Sequence, residues 1–141
     1  MTNEYQLISQ LNERQKDDLL ALFKNEFWCK DRKREDLDKV LANSDIVVGL
    51  ENRDGRLIGF CRLLTDYIYK TVIYDVIIDP AFRGRMLGRI LMDAIIQHPD
   101  LREVGQFDLN CLPHMREFYR RWGFTDDLGD LVFMRRHNKL C

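Results

Sequence analysis

The pattern of apolar and polar positions changes period several times along the chain, and each change marks the boundary of an expected element. The sharpest change lies within residues 72–97. Valine and isoleucine dominate Val72–Ile78, and apolar residues recur at helical spacing from Arg85 onward. Asp79 and Pro80 end the run, because proline has no N–H to donate to a neighbouring strand. The pattern therefore predicts a buried strand, a tight turn and an amphipathic helix.

Similar patterns predict the elements on either side of this central unit. Before it come a strand at Glu4–Ser9, a helix from the cap at Asn12 to about Phe27, a helix at Arg34–Ala42 and a hairpin of Asp45–Glu51 and Arg56–Thr65. After it come a strand at Glu103–Asn110, a helix from Pro113 to Gly123, and a last hairpin that is broken by Asp126–Asp130 and finishes with Leu131–Arg135. This order predicts an α/β (α+β) fold with a mixed, mostly antiparallel sheet covered by helices, in one domain of residues 1–141.

Glycines and arginines surround the predicted start of the central helix. The stretch consists of Arg83, Gly84, Arg85, Met86, Leu87, Gly88 and Arg89, with no carboxylate before Asp93. The first turn of a helix has N–H groups without intrahelical partners and a positive dipole end, and the glycines, expected on one helix face, allow close approach to the backbone. The stretch therefore predicts an anion site that suits phosphate or pyrophosphate. The alternative is that the glycines only allow helix to pack on strand and that the arginines are solvated.

This loop resembles the coenzyme A pyrophosphate loop of the GNAT acetyltransferase superfamily, whose pattern is (Q/R)-x-x-G-x-(G/A) after a strand. Arg83 and Gly88 match the ends of the pattern, and Met86 stands where the family has its inner glycine. Because the family loop works through backbone N–H groups, methionine keeps the hydrogen-bond donor and changes only the fit.

A second stretch resembles the same family at the expected distance downstream. The family helix reads roughly N-x-x-(A/S)-x-x-(F/L)-Y-x-x-x-G-F. The matching residues here are Phe118, Tyr119, Gly123 and Phe124. Leu112 and Met115 differ from the family residues at the start of the motif. Together the two motifs cover about residues 72–124, and their order and separation are those of the family.

The resemblance implies a sheet whose two central parallel strands splay apart and admit acetyl-coenzyme A, the acetyl donor. Backbone groups of Ile77 and Ile78 would bind its pantetheine arm, and Arg83–Arg89 its pyrophosphate. Tyr119 matches the family position that commonly donates a proton to the departing sulfur; without the motif it would be a core tyrosine beside Phe118. The implied activity is direct transfer of acetyl to a primary amine of an unidentified acceptor in a ternary complex, without a covalent enzyme intermediate.

Asp75 is the candidate general base. An amine must lose a proton before it attacks a thioester, and Asp75 is the only carboxylate in the apolar strand that is expected to border the slot. The alternatives are that Asp75 pairs with a nearby arginine, that it lies at a strand irregularity, or that water acts as the base. No motif decides among them.

Composition describes a soluble protein and identifies no macromolecular partner. Of the 141 residues, 45% are apolar and 32% charged, and the net charge is −1, unlike that of a nucleic-acid binder. Four cysteines without a C-x-x-C pattern, a polar N-terminus and no apolar run of about 18 residues predict a cytoplasmic protein without a membrane span. The expected partner is a small-molecule or peptide amine rather than nucleic acid or membrane. Monomer and homodimer both remain open.

Two rival interpretations remain. Cys111 and His114 could be a nucleophile with its base or half of a metal site, but no third ligand lies at a motif spacing, so no metal is predicted. A non-catalytic module of the same fold would bind coenzyme A or an acyl form as a sensor, or would act as an interaction domain. The departures at Met86, Leu112 and Met115 favour that second interpretation.

The acceptor is the least constrained partner. In the family its contacts come largely from the first two helices and the closing hairpin. Aromatic and acidic residues in or near those regions are Trp28, Tyr67, Tyr69, Asp126, Asp127 and Asp130. They would suit a cationic amine, although a solvated surface explains the same residues. The mixed-charge stretch Lys30–Asp36 is expected to be a solvated loop.

Overall fold

The structure, a computed structural model, describes residues 4–139. These residues form two compact units that divide after Asn110. The first unit contains, in order, β1 (Tyr5–Ile8), α1 (Glu13–Lys24), α2 (Arg34–Ala42), β2 (Ile46–Asn52), β3 (Leu57–Thr65), β4 (Lys70–Ile78), α3 (Leu87–Ile96) and β5 (Gln106–Leu109). The second unit contains α4 (Arg116–Arg120), preceded by a short 3-10 turn at Pro113–Met115.

The first unit is built on a five-stranded sheet in the order β1-β2-β3-β4-β5. Neighbouring strands are antiparallel except β4 and β5, which are parallel. The crossover between this parallel pair contains α3, as a parallel connection requires. The predicted mixed and mostly antiparallel sheet with flanking helices is therefore confirmed.

Helices cover the sheet on both faces. On one face α1 and α2 pack on the strands through a cluster of Leu19, Leu22, Phe23, Cys29, Leu37, Leu57, Phe60 and Ile77. Five consecutive residues of β3, Leu57–Cys61, are buried, which requires cover on both faces. Helix α3 contacts β2, β3 and β4 and buries Leu91, Met92 and Ile95 completely.

The start of α1 follows the sequence prediction closely. Asn12 caps the helix by accepting a hydrogen bond from the Gln15 backbone N–H at 2.8 Å, and the Gln15 side chain accepts one from the Asn12 N–H at 3.0 Å. Gln15 also donates to Glu51 Oε2 at 2.6 Å and to the Gly55 carbonyl at 3.0 Å. The cap thus ties the helix to the β2–β3 hairpin.

Some predicted bounds were wrong. Helix α1 ends at Lys24 rather than near Phe27, because Phe27 is 68% exposed and its burial therefore contributes little to stabilising a further turn. Helix α3 begins at Leu87, so Gly84 lies in the preceding loop and does not share a helix face with Gly88. Strand β5 begins at Gln106, three residues later than expected, after turns that follow α3.

The last hairpin was also predicted wrongly. No strand forms between Thr125 and Lys139, and Leu131, Val132, Phe133 and Met134 are each at least 67% exposed. A strand gains its backbone hydrogen bonds from a partner strand, and this segment has none within the described part of the second unit. A short alternation of apolar and polar residues was therefore not sufficient to predict a strand in this segment.

Candidate active site

The loop before α3 connects the end of β4 to the helix start through a short turn. Asp79 ends β4 and accepts a hydrogen bond from the Ala81 N–H at 2.9 Å, which fixes a 3-10 turn at Pro80–Phe82. Asp79 is buried and also pairs with Arg56 at 2.8 Å. The turn is followed by Gly84, whose φ of +83° belongs to the left-handed region that glycine occupies without strain. This segment aims the chain into α3.

The opening of α3 has the features expected of an anion site. No side chain caps the first turn and no acidic residue lies in it. The N-cap is Met86, which is 59% exposed, and space around the Gly84 Cα is open. Arg83 pairs with Glu26 at 3.0 Å and Arg85 stacks over the Phe82 ring at 5.2 Å. The first N–H groups of the helix therefore have no side-chain cap, and no acidic side chain in the first turn offsets the positive end of the helix.

Met86 adopts a backbone conformation that suits glycine. Its φ is +63° and its ψ +17°, in the left-handed helical region, which costs a residue with a Cβ about 1–2 kcal/mol. The family pattern has glycine at this position, and the structure supplies the physical reason. Methionine is accommodated because its side chain is exposed.

Replacing Met86 with glycine should relieve this strain. We expect Met86→Gly to raise the free energy of unfolding by about 1 kcal/mol relative to Met86→Ala, which keeps the strained φ without the long side chain. Urea denaturation of the two variants measures the difference. Equal stability would show that the left-handed conformation costs nothing at this position.

One edge of β4 is left without a strand partner beside the helix opening. The β4–β5 pairing runs from Lys70 with Gln106 to Ile73 with Leu109, where β5 ends. Strand β4 continues to Ile78, paired on its other side with β3. No strand of residues 4–110 pairs with the β5-facing edge of Tyr74–Ile78, which includes the predicted pantetheine-binding residues.

Asp75 lies at an irregularity of β4 and pairs with two arginines. Its Oδ2 accepts hydrogen bonds from Arg32 Nη1 at 2.6 Å and from Arg62 Nε at 2.7 Å, and its Oδ1 accepts one from Arg32 Nη2 at 3.1 Å. The Asp75 side chain is 3% exposed. The arginine pairing and the strand irregularity, both considered from the sequence, are therefore observed. The role of Asp75 as general base stays a prediction.

The irregularity is a β-bulge. Phe60 pairs with Ile77 and Arg62 with Tyr74, so β4 contains one residue more than β3 between these pairs. Asp75 takes a φ of +58° there, a conformation that aspartate tolerates better than most residues. Bulges redirect side chains and are frequent beside active sites. This one places Asp75 and Ile77 on the face covered by α1 and α2.

Tyr119 belongs to the second unit and is the buried residue of α4. Its ring lies edge-on to Phe118 at 5.0 Å and to Phe124 at 6.1 Å between centroids. Gly123 ends the helical turn with a φ of +86°, and its N–H donates to the Arg120 carbonyl at 3.0 Å. The aromatic contacts fix the ring, as either a core tyrosine or an acid would require. The proton-donor role of Tyr119 stays a prediction.

Comparison with known proteins identifies the family. The model of the acetyltransferase (GNAT) family matches residues 10–124. This chain belongs to the GNAT acetyltransferase family. The match spans the strand, the helix opening and the Tyr119 motif described above, and it accounts for the fold of the first unit.

Individual relatives agree with this assignment. A histone acetyltransferase of Glycine max is 33% identical over 120 residues, which cover 78% of the GNAT chain and 52% of the relative. A chloroplastic serotonin N-acetyltransferase of Oryza sativa subsp. japonica is 29% identical over 115 residues, which cover 77% of the chain and 58% of the relative. The chain thus spans little more than half the length of these curated relatives.

A solved structure shows the same architecture. A GNAT-family protein from Xanthomonas campestris pv. campestris superposes with a TM-score of 0.77 at 29% identity. The superposition covers 94% of this GNAT chain and 93% of the other protein.

The rival nucleophile and metal interpretations gain no support from the geometry of the GNAT chain. Cys111 is an exposed free thiol, and His114 lies in a 3-10 turn. Between residues 4 and 139 no three His, Cys, Asp or Glu side chains are grouped to hold a metal ion. Burial raises the pKa of the Cys29 thiol to about 11 and raises that of Cys61 further, so both stay protonated at neutral pH.

Sequence reasoning missed two arginines that pair with Asp75, the candidate base. Arg32 was assigned to a solvated stretch, and Arg62 was treated only as part of a hairpin strand. The structure shows that the first assignment was wrong, because Arg32 reaches the buried carboxylate of Asp75. The only signal in the sequence was Asp75 itself, since a carboxylate in an apolar strand needs a cationic partner.

Proposed function

We propose that this GNAT protein transfers the acetyl group of acetyl-coenzyme A to a primary amine, directly and within a ternary complex. The observation that carries the proposal is the family match over residues 10–124 combined with an uncapped, acid-free opening of α3. A helix start of this kind binds the negative charge of a pyrophosphate. Acetyl-coenzyme A is the substrate that contains one and that also supplies the acetyl group.

Backbone groups make most of the contacts with acetyl-coenzyme A in this proposal. N–H groups within Arg83–Arg89 hold the pyrophosphate, with the arginine side chains adding positive charge. The free edge of β4 at Ile77 and Ile78 hydrogen-bonds the pantetheine arm as a partner strand would. The thioester then lies along β4 on the side from which β5 has ended.

The chemical step forms one bond and breaks one. The amine nitrogen attacks the thioester carbonyl, the new C–N bond forms, and the C–S bond breaks with the electron pair leaving on sulfur. The Tyr119 hydroxyl gives its proton to that sulfur, and the proton of the amine passes to the general base, for which Asp75 is the candidate. Its two arginine partners leave few open lone pairs on Asp75, so a water acting as base is the competing route.

A non-catalytic acyl-coenzyme A sensor is the second candidate. The observation that favours it is the strained Met86 at a position that suits glycine. One experiment distinguishes the two functions. The melting temperature is measured with and without acetyl-coenzyme A, and thiol release is then measured after a panel of amines is added. A raised melting temperature with no thiol release from any amine favours the sensor. Thiol release that requires both substrates supports the transferase.

Gly88 offers a direct test of the pyrophosphate site. We expect Gly88→Asp to weaken acetyl-coenzyme A binding about tenfold, because a carboxylate in the first turn of α3 repels the pyrophosphate. The fold should be retained, since glycine within a helix costs about 1 kcal/mol and an acid at its N-terminus is favourable. Calorimetric titration measures the dissociation constant. The control is Gln97→Glu, which adds the same charge at the other end of the helix, and unaltered affinity in Gly88→Asp would remove the site assignment.

The acceptor and the location of the protein are also proposals. A small-molecule or peptide amine is favoured, in line with relatives named for histone and serotonin acetylation. Among residues 4–139 no helix is long and apolar enough to cross a membrane. The cytoplasmic location predicted from the cysteine pattern remains a proposal, because the rice relative is named as chloroplastic.

A further inference from the structure

The polar cluster around Asp75 has more positive than negative charge. Arg32 and Arg62 both pair with this one buried carboxylate, at 2.6 and 2.7 Å. Two guanidinium groups against one carboxylate leave a single uncompensated positive charge. The acceptor preference considered from the sequence was for a cationic amine, and this cluster favours an acceptor that also carries a negative group.

Some N–H donors of the two guanidinium groups have no acceptor among the described residues. A guanidinium has five N–H donors. Arg62 uses only its Nε toward Asp75, and neither of its Nη atoms has an acceptor among residues 4–139. No fully buried side-chain nitrogen of the described chain lacks a partner, so these Nη atoms are at least partly exposed, within a side chain that is 17% exposed. A ligand in solution can therefore meet them.

Aromatic rings hold both guanidinium groups in fixed orientations. The Arg32 guanidinium lies 4.6 Å from the Phe23 ring centroid and 5.6 Å from that of Trp28, and the Arg62 guanidinium lies 4.9 Å from that of Tyr74. When the flat face of a guanidinium group stacks on a ring, its N–H groups point outward in the guanidinium plane and can bind a ligand there. Such an arrangement suits a planar carboxylate.

We propose that Arg32 and Arg62, balanced by Asp75, form a subsite for a carboxylate of the acceptor, so that the transferase acetylates short amino carboxylates. The statement that the acceptor has an amine rests on the proposed function. The binding of a carboxylate by the two arginines does not. The single residual charge matches a monoanion. A phosphate dianion would exceed it.

The position of the cluster limits the length of the acceptor. Asp75 and Ile77 lie two residues apart in β4, on the face covered by α1 and α2. Ile77 is where the donor arm is proposed to bind. A carboxylate at the cluster thus directs the amine of a short amino carboxylate, such as β-alanine, toward the thioester and away from Asp75, so that water, the competing route, takes the amine proton in this complex.

The test compares matched acceptors. We expect kcat/KM for β-alanine to exceed that for propylamine, which has a methyl in place of the carboxylate, by about tenfold. Arg62→Gln should lower this ratio about tenfold, Arg62→Lys should lower it less, and Arg53→Gln, an exposed arginine in the β2–β3 turn, should leave it unchanged. The ratio is independent of any general loss of activity in a variant. Equal values of kcat/KM for the two amines in the unaltered protein would overturn the subsite, and preference for aminoethyl phosphate would overturn its assignment to carboxylates.

A binding measurement separates failure of the subsite from failure of the proposed function. Titration with N-acetyl-β-alanine, followed at the Arg32 and Arg62 Nε–H signals by NMR, needs no turnover. The subsite is supported if both signals move in the unaltered protein and if the remaining Arg32 signal moves less in Arg62→Gln. This result supports it even if no amine is acetylated. Signals that do not move overturn it even if acetyl transfer is observed.

Discussion

Tyr119→Phe is expected to lower kcat about 100-fold while leaving the affinity for acetyl-coenzyme A nearly unchanged. The magnitude is that of losing one general acid. Phenylalanine retains the ring contacts with Phe118 and Phe124, so the packing of α4 should persist. Steady-state kinetics of thiol release, with calorimetric titration of the donor, measure the two quantities.

The matched control for this prediction is Tyr5→Phe, which removes a tyrosine hydroxyl in β1, at the opposite edge of the sheet from β5. Its kcat should stay within about twofold of the unaltered value. A Tyr119→Phe protein that turns over normally at every pH would exclude the hydroxyl as the acid. Tyr119 would then serve only to pack α4.

Asp75→Asn is expected to have the largest effect on stability. Asparagine keeps one oxygen but loses the charge that Arg32 and Arg62 surround, and removing one member of a buried ion pair costs about 3 kcal/mol. Urea denaturation should therefore show a lowered free energy of unfolding. Asp54→Asn, at an exposed turn position, is the control and should change it by less than about 0.5 kcal/mol.

The same variant separates the two roles considered for Asp75. If Asp75 is the base, the ascending limb of kcat/KM against pH should disappear or shift in Asp75→Asn. If it only pairs with the arginines, the limb should keep its position while stability falls. Asp75 is the candidate base in the proposed function. If the ascending limb of kcat/KM against pH keeps its position in Asp75→Asn, water is the base instead.

Elements whose signals lie within a few residues were predicted well from the sequence. The cap of Asn12 with Gln15 and the bounds of α2 are local patterns, and both are confirmed. The candidate loop was found in the same way, because arginines and glycines cluster at one helix start. The end of α1 was predicted wrongly because Phe27, an apolar residue, is largely exposed, and burial depends on distant parts of the chain.

The polar part of the site was beyond prediction for a different reason. Arg32 and Asp75 are 43 residues apart, and no periodicity links a loop position to a strand position at that distance. The bulge that turns Asp75 toward the arginines depends on the register of β3 with β4. The positive φ of Met86 was not predicted either, because methionine itself does not favour it and only the family glycine at this position was a signal.

The extra residue in β4 restricts how this strand can evolve. Side chains alternate between the two faces of a sheet, so removing one residue between Tyr74 and Ile77 would send either Asp75 or the residues before it to the wrong side. Insertions and deletions in this strand are tolerable only in pairs, or when β3 changes length to match. Strand β4 therefore tolerates changes of length poorly, whereas the loop after α1, which takes no part in the pairing of β4 with β3, can change length more easily.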